Sequence, residues 1–205
     1  MNYTTFKDRF HIYRIFSVND IRKSFTDFDS RRLVEWQQKG YILKVINRWY
    51  LFADVEVDDN MKLWIANRIY QPSYVSLESA LFYYNLIPEA VYSITSLTSN
   101  KTISFDTSVG NYVYRHIKPT VFFGYQVIEW QGFPIRMAEL EKVLLDYLYL
   151  NTNINSEQDL EGLRFNTDDL KEKLSVEKFN DYLALFDSKA LTTRATSLLN
   201  YLDLC

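Results

Sequence analysis

The sequence predicts an α+β fold in two parts, and three observations carry that prediction. Charge divides the chain: residues 1–52 hold ten Lys/Arg against five acids, net +5, while the remaining 153 hold thirteen against twenty-one, net −8. The apolar pattern also changes along the chain, from helical with one hairpin, to β-rich, and back to helical. Finally, 205 residues exceed the roughly 150 of one typical domain, so we read a small basic domain over 1–55 and a larger acidic one over 60–205.

Composition narrows the classes. With 47% hydrophobic residues, five Gly and four Pro, the chain can bury a sizeable core and is neither collagenous nor low-complexity. The longest run free of Asp, Glu, Lys and Arg is Ala90 to Asn100, eleven residues. A membrane helix needs about 20, so no membrane partner is expected. Lys7, Asp8 and Arg9 interrupt the start, which does not read as a secretory signal, and a cytoplasmic location is expected. A single cysteine, Cys205, and two histidines, His11 and His116, leave no internal disulfide and no recognisable metal spacing.

In the basic part, Phe6 and Phe10 at i, i+4 mark a first helix over about 3–13. Val18, Ile21 and Phe25 behind the capping residues Ser17 and Asn19 mark a second over 18–25. Thr26-Asp27-Phe28-Asp29 reads as a turn, and Asp29 or Ser30 caps a third helix that runs to Lys39 and stops at Gly40. On a helical wheel Leu33, Trp36 and Gln37 share one sector, with Arg31, Arg32, Glu35, Gln38 and Lys39 opposite. Tyr41–Ile46 and Trp49–Phe52 are β-rich around Asn47-Arg48, which predicts a hairpin pairing Ile46 with Trp49, Val45 with Tyr50, Lys44 with Leu51 and Leu43 with Phe52, one face wholly apolar.

Two helices joined by a tight turn and followed by a two-stranded wing is the winged helix-turn-helix arrangement. In that arrangement the last helix enters the major groove and the wing meets the backbone. The residues this assigns to double-stranded DNA are Ser30, Arg31, Arg32, Glu35, Gln38 and Lys39 on the helix, and Lys44, Asn47 and Arg48 on the wing. A positive field favours a polyanion. Glu35 argues against it, because it repels phosphate unless it reads a cytosine amine. The same module also serves as a protein-interaction domain.

The acidic part begins after Asp54–Asn60, which reads as a solvated linker. Met61, Ile65 and Ile69 mark a helix closed by Pro72, and Ser76 caps another over Leu77–Tyr84. Runs at 91–97, 102–105, 112–117 and 121–130, separated by turn signals, predict a small antiparallel sheet of four or five strands. Helices are expected over 137–150, 156–163, 167–174, 176–186 and 188–204, with the stripe Leu140, Val143, Leu144, Tyr147 and Leu148 facing the core.

Catalytic patterns are thin. No phosphate-binding Gly-rich loop, dinucleotide fingerprint or Gly-x-Ser-x-Gly elbow is present. The carboxylates Asp27/Asp29 and Glu56/Asp58/Asp59 read as turn, cap and linker residues. His116 reads as an ordinary strand histidine, and Cys205 has no electropositive helix start to activate it. No catalytic residue, cofactor or metal is assigned, and the chain is not expected to be an enzyme.

Four segments stand out: Phe16-Ser17-Val18-Asn19-Asp20-Ile21, the run from Arg31 to Ile42, Tyr74-Val75-Ser76-Leu77-Glu78-Ser79-Ala80-Leu81-Phe82-Tyr83-Tyr84, and Ala138-Glu139-Leu140-Glu141-Lys142-Val143-Leu144-Leu145-Asp146. In these the chain resembles the AbiEi-type antitoxins of abortive-infection and toxin–antitoxin operons. The third, followed some sixty residues later by Glu-Lys-x-x-x-Asp, is the specific part. Two positions depart from the family pattern: Arg48 stands where the family has Gly before the second wing strand, and Leu140 where a Pro often precedes the Glu-Lys pair. The resemblance implies a protein that represses its own promoter through the winged helix and neutralises a nucleotidyltransferase-type toxin encoded nearby. A winged-helix regulator that responds to a ligand or protein, without a toxin partner, is the alternative.

Overall fold

The computed structural model describes residues 2–89 and 91–204; Cys205, and Ala90 at the start of the expected β region, lie outside them. The chain is a mixed α+β protein. None of its described helices is long and apolar enough to cross a membrane.

The first fifty residues run α1 (Tyr3–Phe10), a 3-10 turn (His11–Tyr13), β1 (Ile15–Ser17), α2 (Val18–Ser24), α3 (Arg31–Gln38), β2 (Ile42–Ile46) and β3 (Trp49–Phe52). Local chemistry sets these boundaries. Ser17 and Asp20 form a reciprocal capping box at the start of α2, and Gly40 at φ 69° follows the end of α3 in the left-handed conformation glycine adopts without cost. Phe6, Phe10, Phe16, Trp36 and Phe52 are buried in one aromatic cluster, with Phe6 stacked on Trp36 at a centroid distance of 4.7 Å. Each such burial is worth about 1.5–3 kcal/mol.

Strand β1 was not expected. It pairs antiparallel with β3, giving a three-stranded sheet in the order β1-β3-β2. The hairpin register also differs from the expected one. Lys44 pairs with Tyr50 and Leu43 with Leu51, Ile46 still faces Trp49, and Val45 is left as a bulge between them. In the turn Arg48 is left-handed, at φ 69°, while Asn47 is not. That geometry belongs to turns closed by a bulge rather than to the tight two-residue turn on which the expected register rests. The uniform apolar face is lost as a result: Ile42 and Val45 are buried, whereas Leu43 is exposed.

The rest of the chain is α4 (Asp59–Ile69), β4 (Ser73–Val75), α5 (Leu77–Tyr83), β5 (Ser93–Thr98), β6 (Ile103–Thr107), β7 (Gly110–His116), β8 (Tyr125–Trp130), β9 (Phe133–Ala138), then α6 (Leu140–Leu150), α7 (Glu157–Gly162), α8 (Thr167–Lys173), α9 (Val176–Leu185) and α10 (Lys189–Tyr201). The sheet has six strands in the order β6-β7-β5-β4-β9-β8 and is mixed, not antiparallel throughout: β5 runs parallel to β7, and β4 parallel to β9. Met137, expected to open a helix, lies in β9, and α6 starts three residues later. Of the stripe on α6, Leu140, Val143, Leu144 and Leu148 are buried and Tyr147 packs against them.

The basic segment is built onto this body. Ile15, Val45 and Leu51 belong to the larger apolar core. The Arg14 guanidinium lies 5.1 Å from the Trp130 ring centroid and 5.3 Å from that of Phe133, and donates to the Gln131 side chain in the turn between β8 and β9. Arg68 of α4 approaches Asp20 at 3.8 Å and lies against Trp49. The connection over 54–60 is exposed in its charges, but Val55 and Val57 pack inward and Asp58 caps α4.

Candidate nucleic-acid interface

Helix α3 is amphipathic in the way its spacing predicts. Leu33 and Trp36 are buried, and the Gln37 side chain turns back to donate to the Leu33 carbonyl at 2.8 Å. Arg31, Glu35, Gln38 and Lys39 are exposed, Arg32 is half-buried, and Val34, which the charge pattern did not single out, is 55% exposed on the same helix. Ser30 is the N-cap by position but makes no side-chain cap bond. The Asp29 carboxylate does that work, accepting the Arg31 N–H at 3.0 Å.

Three of the assigned cations are held by partners within the chain. Arg31 pairs with Asp29 at 2.8 Å, and this hydrogen bond holds the Asp29 carboxyl below its ordinary range. Lys39 donates to Glu35 one turn back at 2.6 Å, with the same effect on Glu35. Arg48 donates to the Asn19 side chain at 2.9 Å, which ties the hairpin turn to the start of α2 rather than to α3. Exposed pairs of this kind contribute little to stability, so phosphate can exchange with them at low cost. Arg32 and Lys44 have no ion pair among the described residues. The Lys44 carbonyl lies 3.5 Å from the Ser108 hydroxyl in the turn between β6 and β7, so β2 faces the larger sheet. Asn47 is exposed at the turn.

Away from this surface, the two most specific pieces of the sequence meet. Tyr74 and Ser76, at the end of β4, and Lys142 and Asp146, one turn apart on α6, form a fully buried polar cluster. Asp146 accepts from Ser76 at 2.9 Å, from Tyr74 at 3.1 Å and from the Lys142 ammonium; Lys142 also donates to the Tyr74 hydroxyl at 2.9 Å. Ser76, expected as a side-chain cap of α5, is spent here and makes no cap bond. Burial pushes the Asp146 carboxyl up and the Lys142 ammonium down, each opposed by its partner's charge. The rings of Phe186, Phe123 and Tyr74 surround the ammonium at 4.9–5.4 Å. At Gly124 (φ 67°) a side chain would come within 3.0 Å of Lys142 and Tyr182, so the loop before β8 closes directly over the pair. With every member buried and bonded, the cluster joins β4 to α6.

No protein-family model and no curated protein matches this chain. Its fold is similar to that of the RV2827C protein from Mycobacterium tuberculosis, known from a crystal structure, with a TM-score of 0.59 and 14% sequence identity over 92% of this chain and 72% of that one. At that identity the likeness concerns the fold alone.

Proposed function

We propose that this chain is an antitoxin that binds its own promoter through a winged helix over residues 1–55 and neutralises a nucleotidyltransferase-type toxin through the larger part. The observation that carries the DNA-binding half is the outward face of α3: Arg31, Gln38 and Lys39 stand exposed on a helix–turn–helix–hairpin segment of net +5. The element order helix, strand, helix, helix, strand, strand is the one such modules use, and their last helix is the one that enters the major groove. The cytoplasm is where such a protein would act. The antitoxin half rests on the resemblance of four segments, and it draws support from the meeting of the two most specific of them, around Tyr74 and Lys142, in one buried cluster.

The test of the DNA-binding half is fluorescence anisotropy with a duplex from the chain's own promoter. Arg31→Ala/Arg32→Ala should weaken binding at physiological salt while the variant still protects cells co-expressing the toxin. Unchanged promoter affinity in a folded double variant overturns the assignment of α3.

A further inference from the structure

Resting on the DNA-binding reading, we propose that the free edge of β8 pairs with β8 of a second copy, so that two chains share one continuous sheet and present two winged helices to one duplex. The six-stranded sheet has two edges. The first, β6, is approached by the wing: the Ser108 hydroxyl in the turn after β6 lies 3.5 Å from the Lys44 carbonyl of β2. The second, β8, pairs with β9 alone.

The turn fixes which backbone groups that edge offers. Gln131 and Gly132 are both left-handed, at φ 50° and 81°, the pattern of a two-residue hairpin closed by the hydrogen-bonded pair Trp130–Phe133. Alternation then makes Ile128–Ile135 and Gln126–Met137 the other bonded pairs, and it puts Pro134, which has no N–H to give, at a non-bonded position opposite Glu129. Tyr125, Val127 and Glu129 therefore point their N–H and C=O groups away from β9. No backbone partner meets them there among the described residues. The devices that guard an edge are absent as well: β8 contains no Lys and no Pro, its register with β9 runs without a bulge, and Val127 at its middle is 61% exposed.

A second copy fits this edge by symmetry and by charge. Antiparallel pairing across a two-fold axis at Val127 sets Val127 against the partner's Val127 and Tyr125 against the partner's Glu129, which satisfies the outward groups with about six hydrogen bonds. Glu129 is the one charge in β8 and Arg136 the one in β9, so the hairpin is neutral, and the pairing places Glu129 beside a tyrosine rather than beside its own image. A strongly basic or acidic strand finds no complement here. Such an axis stands perpendicular to the sheet, so what lies on one face in one copy lies on the same face in the other. The basic segment lies on the face covered by α4, where Arg14 sits over Trp130 and Phe133, and Trp64 of α4 packs on Phe133 at 4.5 Å. Both winged helices thus stand on one side of the joined sheet. Gln131, to which Arg14 donates, is four residues from Val127. That is about 13 Å along the strand, so the two attachment points are about 27 Å apart, on the scale of the roughly 34 Å between half-sites on one side of a duplex.

The experiment is sedimentation equilibrium of the full-length chain, alone and with duplexes carrying the whole promoter or either half of it. We expect a concentration-dependent dimer that binds the whole promoter more tightly than a half. Val127→Lys sets two ammonium groups together at the axis and leaves the bonds to β9 in place. It should weaken dimerisation roughly tenfold or more and lower affinity for the whole promoter, with half-duplex affinity and melting temperature unchanged. Val127→Cys in a Cys205→Ser background should give a disulfide-linked dimer on mild oxidation, because the Cα atoms of a bonded antiparallel pair stand about 5.5 Å apart. Tyr92→Cys in the same background, exposed ahead of β5, should cross-link far more slowly. If Val127→Lys melts early, the cysteine variants decide. A wild type that stays monomeric both free and on the promoter overturns the pairing, and its half-duplex binding then upholds the DNA reading separately. A dimer that Val127→Lys leaves intact, or that Val127→Cys fails to cross-link, overturns the pairing too. A dimer broken at Val127 that binds no promoter duplex upholds the pairing and removes the DNA reading. A monomeric chain in which Val127→Lys abolishes binding of the neighbouring toxin gives the edge to a strand of that toxin and overturns the second copy as its occupant.

Discussion

The Lys142 ammonium and the Asp146 carboxylate, one helical turn apart on α6, form an ion pair with no exposed side-chain surface, and Asp146 also accepts from Tyr74 on β4 and from Ser76 just after it. Removing one member of a buried pair strands the other, at a cost of about 3–5 kcal/mol. Asp146→Ala should therefore lower stability by that amount, with an earlier urea midpoint and an unchanged slope. Asp146→Asn should cost less, since its amide oxygen still accepts from Ser76 or Tyr74. Equal losses for the two variants would show that the acceptor geometry does not matter.

Arg48 occupies a left-handed position at the hairpin turn, the conformation glycine adopts most readily. Arg48→Gly should relieve about 1 kcal/mol of backbone strain, less what is lost with the exposed hydrogen bond to Asn19. A rise in melting temperature together with slightly weaker binding to duplexes of any sequence is the expected outcome. Gly40→Ala is the converse test: nothing lies within 4 Å of the added carbon, so the expected loss of about 1 kcal/mol is purely conformational.

Most helices were legible because capping and amphipathic spacing are local: Ser17 opens α2 and Gly40 follows α3 where the sequence places them, whereas Ser30 and Ser76 stand at cap positions without making the cap bond. Strands β4 and β9 were not. Ser73–Val75 offers three residues between Pro72 and Ser76, too few to show an alternation, and both of its neighbours in the sheet are distant in sequence. Phe133–Ala138 contains Pro134 and runs straight into α6, so its end read as helix. The outward face of α3 followed from the wheel, which sets Glu35 and Lys39 on it one turn apart. Arg48–Asn19 did not, because it depends on how the turn returns to α2. The Lys142–Asp146 spacing is that of an ordinary surface pair; only the burial of both faces of α6, a tertiary property, makes it a core element.

The exposed pair between Lys7 of α1 and Asp54, 2.7 Å apart, joins the first helix to the segment after β3. The hydrogen bond from Lys7 lowers the Asp54 carboxyl below its ordinary range. A carboxyl depressed in the folded state stabilises above its unfolded value, and that contribution is lost as pH falls through the folded one. Lys7→Met should thus lower the melting temperature slightly at pH 7, and the difference from wild type should close on acidification below the ordinary aspartate range. A difference that persists at pH 2 would assign the effect to packing of the lysine stem.

Tyr112 is fully buried in β7, burial pushes its hydroxyl far above the ordinary tyrosine value, and the hydroxyl has no hydrogen-bond partner among the described residues. An unmade buried bond costs about 1–3 kcal/mol. Tyr112→Phe should therefore be neutral or stabilising by thermal melting, where most core substitutions destabilise. A clear loss of stability would mean that the hydroxyl has a partner in solution.

Glu35 is the acid on the outward face of α3, and it holds Lys39 at 2.6 Å. Two roles are open to it at a DNA surface, and they predict opposite results. If Glu35 only restrains Lys39 and repels phosphate, Glu35→Gln frees a cation; affinity then rises for every duplex, and the slope of log K against log salt steepens by about 0.9, one more counterion-releasing contact. If Glu35 accepts from a cytosine amine, Glu35→Gln costs about 1–3 kcal/mol at one base position and leaves other sequences unaffected. Arg32→Ala provides the calibration, because Arg32 has no ion pair among the described residues and its loss should flatten the slope by about the same 0.9. The intramolecular pair favours the first outcome, since a carboxylate already bonded to Lys39 must give up that bond before it reads a base. Promoter and scrambled duplexes titrated at several salt concentrations separate the two, and a Glu35→Gln slope equal to that of the wild type would place Lys39 outside the phosphate contacts altogether.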